Sequence, residues 1–278
     1  MKNAKIISAA LFGFALSSQA IAGIVVDGNL ADWGVVRGST SWVPSAGTQY
    51  TVEDSKGSGS YYLTPGWGGQ AYDAEALYAR IEGNSLFIAL ATGHNPRTLN
   101  NPAGNSFGAG DFAIDFGKNG SYELGINVKY ATSYRNGAYT FEAFGVEGGV
   151  YKNASWNYGL WDTAGNHNLA NPDKTHPTSL NGGVKIGDAH LAYTTTAATG
   201  YGISQSDPHY FYEMSLDLGL LRQAGWDGSA FNIQWTENCA NDSIIVDPGK
   251  YVPEPGSLAL LGIGLFGMLG LRRRARTN

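Results

Sequence analysis

The sequence is poor in charge and in cysteine. Asp, Glu, Lys and Arg make up 15% of its 278 residues, against roughly 25% in an average soluble domain, which argues against a highly charged disordered tail and against a helical bundle laced with ion pairs. A single cysteine, Cys239, excludes an intrachain disulfide and any thiolate metal cluster, and reads as a half-buried free thiol. No Walker or dinucleotide glycine motif, no His-Glu-x-x-His and no Gly-x-Ser-x-Gly elbow occurs, so phosphate cradles, zinc-protease chemistry and a hydrolase nucleophile elbow drop out. Histidines 94, 167, 176, 190 and 209 show no ligand spacing and read as loop decoration. Sustained 3.6-residue apolar periodicity is missing between Gly23 and Asp247, apart from Leu218 to Ala224, closed by Gly225 in a C-cap position.

What is present is glycine (39 residues) and aromatic rings (12% Phe, Trp and Tyr). Glycines turn corners and aromatics pack pleated surfaces, so the chain reads as all-β. Ile24 to Val26 predicts an opening strand. Ala76 to Ile81 and Ser85 to Ala91 read as a hairpin around Glu82-Gly83-Asn84. A second hairpin alternates through Phe112, Ile114 and Phe116, turns at 117 to 120, and returns through Tyr122, Leu124, Ile126, Val128 and Tyr130. Further strands are predicted at Tyr139 to Val146, Tyr210 to Leu216 and Phe231 to Thr236, while 38 to 70 and 147 to 206 read as long loops. The expectation is a single antiparallel β-sandwich over 23 to 251, jelly-roll or immunoglobulin-like, with long loops and one short helix.

Both ends carry addresses. Residues 1 to 22 combine Lys2 and Lys5, an apolar run from Ile6 to Leu16, and small residues at Ala20 and Ala22; they read as a secretory signal peptide cleaved by signal peptidase before Gly23. At the other end Val252-Pro253-Glu254-Pro255 precedes an apolar stretch, 256 to 271, and then Arg272, Arg273, Arg274 and Arg276. Sixteen helical residues span ~24 Å against a ~30 Å hydrocarbon core, a short transmembrane helix whose basic tail stays cytoplasmic, with a plain membrane anchor as its simplest reading. The order Pro-Glu-Pro, apolar helix, Arg cluster over 252 to 278 resembles the PEP-CTERM sorting signal of exopolysaccharide-producing Gram-negative bacteria. That resemblance implies recognition by an exosortase, removal of the helix near Pro253-Glu254-Pro255, and release or attachment at the cell surface after passage through the inner membrane and periplasm. Without the charged ends, 12 basic face 22 acidic residues, a net charge of −10, so nucleic acid is not an expected partner.

The segment Val26-Asp27-Gly28-Asn29-Leu30-Ala31-Asp32-Trp33, with Ala76-Leu77-Tyr78, Leu86-Phe87-Ile88 and 110 to 115 in the same order, resembles family 9-type carbohydrate-binding modules and their DOMON-like relatives. That resemblance implies a calcium-stabilised sandwich that holds sugars with aromatic residues.

Strand parity places Asp73 and Glu75 on the face of Leu77, Ala79 and Ile81, and Glu237 on the face of Phe231, Ile233 and Trp235. Inward carboxylates need a cation, an Arg or a proton. With Asn238 and Asp242 nearby they form a candidate oxygen-ligand site for structural Ca2+; the alternative is that each strand stops short and its carboxylate faces water. Two inward glutamates also suit a glycosidase acid and base. Trp42, Trp67, Trp156, Tyr158 and Trp161 are candidate sugar-stacking rings, or rings packed beneath their own loops; Trp33 and Trp235 are assigned to the core. The expected function is a non-catalytic surface or matrix protein that binds extracellular polysaccharide, the alternative a secreted polysaccharide-modifying enzyme resembling a glycoside hydrolase.

Overall fold

The structure, a computed structural model, describes residues 23–54, 69–96, 108–128, 144–194 and 196–248. Eleven strands form two antiparallel sheets. The five-stranded sheet runs β1 (Gln49–Val52), β2 (Ala74–Glu82), β3 (Ser85–Thr92), β9 (Tyr210–Asp217), β8 (His190–Tyr193). The six-stranded sheet runs β11 (Ser243–Val246), β10 (Phe231–Thr236), β4 (Phe112–Phe116), β5 (Leu124–Ile126), β6 (Gly149–Tyr158), β7 (Pro177–Asp188). The expected all-β sandwich is the fold found.

Alternation explains the layers. Leu77 and Ala79 of β2, Leu86, Ile88 and Leu90 of β3, and Phe112 and Ile114 of β4 meet Phe231, Ile233 and Trp235 of β10 in one core between the sheets. Each such side chain removed from water contributes ~1.5–3 kcal/mol. The opposite face of β2 and β3 carries Ala76, Tyr78, Ala89 and Ala91, and is covered by Leu30, Trp33, Val35, Trp42, Tyr201 and Phe211. Strands β2 and β3 at the centre of the five-stranded sheet are therefore covered on both sides. The short helix α1 (Leu218–Gln223) begins where the Asp217 side chain accepts from the Gly219 amide, and Gly225 follows at φ +110, the left-handed position that favours glycine after a helix.

Several expectations are corrected. Ile24 to Val26 is not a strand; the N-terminal segment crosses the outer face of the five-stranded sheet as irregular chain. Tyr122 and Val128 lie outside β5, and 144 to 146 is not a strand, with Tyr130 and 139 to 143 outside the described residues. The stretch 38 to 70 contains β1, and 147 to 206 contains β6, β7 and β8, the first two being the longest strands described. Cys239 is fully buried. Among the described residues no helix is long and apolar enough to cross a membrane. The signal segment 1 to 22 with Ala20 and Ala22, the span 256 to 271, and the sorting residues Val252 to Pro255 and Arg272 to Arg274 lie outside them.

Candidate functional site

The buried carboxylates come first, because burying charge is the costliest thing this sequence does. Asp73, Glu75, Glu237 and Asp242 are each at most 2% exposed. Strand parity fails at Glu75. A bulge between Ala74 and Ala76 puts Ala74 with Leu77 and Ala79 in the central core, and Ala76 with Tyr78 on the other face. Glu75 follows the second group: its Oε1 accepts from Gln70 Nε2 at 2.5 Å and lies 3.0 Å from His209 Nε2, and the His209 ring meets Trp42 edge-on at 5.1 Å. Glu237 is one residue past the end of β10, yet is buried in the β10–β11 turn instead of facing water. Neither of its carboxyl oxygens has a hydrogen bond, and His94 Nε2 stands 3.8 Å away. Burial pushes the Glu237 carboxyl well above its ordinary value.

Asp73 and Asp242 are hydrogen-bonded to each other, and Asp242 Oδ2 also accepts from the Ala74 amide at 2.6 Å. Burial first, then the neighbouring Glu75, pushes Asp73 up to about 8; burial and the Glu53 charge also raise Asp242. Asn238 donates from Nδ2 to the Ala109 carbonyl at 2.9 Å. The five residues expected to hold calcium are thus all buried at one end of the sandwich, but the bulge divides them. Among the described residues no three His, Cys, Asp or Glu side chains are arranged to hold a metal ion.

These carboxyls make stability depend on pH. Burial pushes Glu53 up to about 7, and Glu213 up to about 7 against the pull of its hydrogen bonds. Folded-state values above the unfolded ones mean that the native state holds protons more tightly, so the stabilisation is complete below the unfolded values near pH 4. It is lost as pH rises through 7 to 8. The melting temperature should therefore fall between pH 5 and pH 8.5 at constant ionic strength; a rise over that interval would contradict the assignment.

The expected sugar-stacking rings divide differently. Trp42 is 1% exposed and stacks on Tyr201 at 5.8 Å and 15°, so it is core. Trp156 lies in β6, 8% exposed, its Nε1 donating to the Tyr122 carbonyl at 3.0 Å. Trp67 lies outside the described residues. Tyr158 and Trp161 are half-buried. Tyr158 stands at the rim of an aromatic patch on the outer face of the six-stranded sheet, where Tyr122, Tyr151, Trp156 and Leu180 pack with Phe144, whereas Trp161 packs against a separate cluster of Tyr72, Leu160 and Cys239. Gln234, Thr236 and Ser243 continue that face in a hydrogen-bonded row, Gln234 Nε2 reaching Thr236 Oγ1 at 3.1 Å and Ser243 Oγ at 3.0 Å. The loop beyond Trp161 is shaped by Asp162, which accepts from the amides of Ala164 and Asn166. Sequence reading picked out Trp156 and Tyr158 as rings but missed the sheet face that carries them, because Tyr151 and Trp156 fall in a stretch that reads as loop.

An all-β sandwich of two antiparallel sheets, with aromatic clusters on both outer faces, is the class of molecule the geometry defines. Comparison with family models then matches residues 252–274 to the PEP-CTERM protein-sorting motif. The chain carries the sorting signal of an exosortase substrate, and with it the mark of an exported, exosortase-processed surface protein of a Gram-negative bacterium. Comparisons with curated proteins and with solved structures gave no match.

Proposed function

We propose that the exported domain is a non-catalytic binding protein of the extracellular matrix, holding polysaccharide on the outer face of the six-stranded sheet. The part-exposed ring of Tyr158, at the edge of an aromatic patch, and that of Trp161, on the neighbouring Tyr72–Leu160–Cys239 cluster, stand beside the amides of Asn157 and Asn241 and carry this reading. Ring faces stack on the apolar faces of pyranoses, and the amides supply hydrogen bonds. A non-catalytic role is supported by the position of Glu75 and Glu237. Each is at most 1% exposed, and each lies against a histidine, whereas a glycosidase pair must flank an open cleft.

Calcium is part of the proposal as a structural ion, supported by the oxygens of Asp73 and Glu237 that lack hydrogen-bond partners. The test is affinity electrophoresis of the purified protein through gels containing the host exopolysaccharide, with calcium or with chelator. Retardation is expected, stronger with calcium, and a Tyr158→Ala/Trp161→Ala variant should bind at least ~10-fold more weakly at an unchanged fold, since each stacked ring contributes ~0.5–1.5 kcal/mol beyond its area. Equal mobility in gels with and without polysaccharide would overturn the reading.

A further inference from the structure

A groove of about 400 Å³ opens beside β1, on the side of the molecule where Trp42 is buried. Its walls combine two kinds of group that seldom share a surface. Val43, Tyr50, Val52 and Ile203 supply apolar area. They are four of the nine large hydrophobic side chains that stand exposed among the described residues, so exposed apolar surface is concentrated here, as at ligand grooves. Between them stand two carboxylates, Glu53 and Asp54.

The carboxylates are held in place from behind. The Glu53 and Asp54 amides both donate to the Glu75 carbonyl, at 2.9 and 3.3 Å. Asp54 Oδ2 accepts from Trp42 Nε1 at 2.8 Å and from the Ile203 amide at 2.7 Å, which fixes its side chain while leaving Oδ1 available. Among the described residues the Glu53 carboxyl has no hydrogen-bond partner, and no Lys, Arg or His lies within ion-pair distance of either group. Two carboxylates without a counter-charge among the described residues, Asp54 fixed by its hydrogen bonds and both walled by apolar side chains, complement a cation on an apolar body better than a hydrated metal ion, which needs oxygen on all sides. Thr40 and Ser41 at the rim offer hydroxyls, and the volume suits a ring-sized ligand.

We infer that this groove binds the protonated amine of an amino-sugar unit, with Glu53 and Asp54 as the anionic partners and Tyr50 and Val52 against the ring. The inference rests on the polysaccharide-binding proposal and deepens it, naming a second subsite and the class of sugar it takes. A charge-assisted hydrogen bond needs the free amine, and acetylation removes both its charge and its donors.

The test is calorimetric titration of the full chain with a tetramer of β-1,4-linked glucosamine and with its fully N-acetylated counterpart, at about pH 7.5, above the value of about 7 to which burial raises Glu53 and still within the range where an amine keeps much of its charge. The glucosamine tetramer should bind at least ~10-fold more tightly than the acetylated one, and Glu53→Gln should remove about 10-fold of its affinity without lowering the melting temperature. Equal affinity for the two tetramers, or an undiminished Glu53→Gln protein, overturns the inference. Calcium that displaces the tetramer with the same dependence on Glu53 also overturns it, in favour of a metal. Failure here and failure of the broader proposal are separable: retardation by host exopolysaccharide without glucosamine binding sinks the groove alone. Glucosamine binding without retardation sinks the aromatic face alone.

Discussion

Glu213→Ala should lower the melting temperature by about 10 °C. The Glu213 carboxylate, fully buried in β9, takes four donors: the amides of Asp27 (3.0 Å), Gly28 (2.5 Å) and Asn29 (2.9 Å) and the indole Nε1 of Trp33 (2.6 Å). This single side chain does for the N-terminal segment what a strand ladder would otherwise do. Removing it leaves two buried N–H groups, the Gly28 amide and the Trp33 indole, without an acceptor, at ~1–3 kcal/mol each before water enters, and opens a cavity beside Trp33. A net loss of ~3 kcal/mol corresponds to roughly 6–12 °C for a domain of this size. Hydrogen exchange should show residues 24 to 35 losing protection first. Glu213→Gln keeps an acceptor oxygen and should lose less; an Ala variant that melts with the native protein would contradict the anchoring role.

The second large effect is expected at Gly110, just before β4. A Cβ there falls 1.8 Å from the Thr236 carbonyl oxygen and 3.1 Å from that of Thr178. Both are backbone atoms, so no side chain can swing away. The same stretch is pinned by Trp235 Nε1 donating to the Gly110 carbonyl at 3.0 Å and by the Asp111 amide donating to Thr178 at 2.8 Å. Gly110→Ala must therefore separate β4 from the end of β10, at about 3 kcal/mol. Gly228→Ala is the control: it strains a φ of +93 but meets nothing within 4 Å, and should cost about 1 kcal/mol. Chemical denaturation of the two variants measures both; equal losses would mean that the close approach at Gly110 is relieved elsewhere.

Periodicity in the sequence located β2, β3, β4, β9, β10 and α1, because these elements alternate cleanly or end on a recognisable cap. It failed wherever one residue breaks the two-residue repeat. In β6 the register shifts between Lys152 and Ser155, with Asn153 at φ +51, and the outer half of β7 is exposed and glycine-rich. Neither stretch shows alternation, so both read as loop. At Glu75 the same kind of irregularity reversed a side chain that alternation had placed in the central core. The opening segment misread in the opposite sense. Its apolar residues are real core, but their backbone partners are the carboxylate of a residue some 185 positions away, a pairing no local pattern contains. Burial of Asp73, Glu75 and Glu237 was legible from parity; their division among separate partners was not, since it depends on the bulge and on the turn after β10. The groove beside β1 was invisible because β1 itself was.

Only Ala189 lies between β7, which ends at Asp188 in one sheet, and β8, which starts at His190 in the other. Its amide donates to the Gly148 carbonyl at 2.8 Å, so the crossing residue is itself fastened to the start of β6. Along that edge the two layers are a single covalent thread with no slack. A tensile load delivered to either sheet passes to the other through peptide bonds before it tests the side-chain packing between them, and sliding of one layer over the other is opposed by the backbone itself. For a protein displayed outside the cell, where shear is a constant condition, that makes the β7–β8 edge the stiff seam of the domain and the opposite margin, where β1 and β11 meet through the Thr51 hydroxyl and the Ile245 carbonyl, the side that yields first.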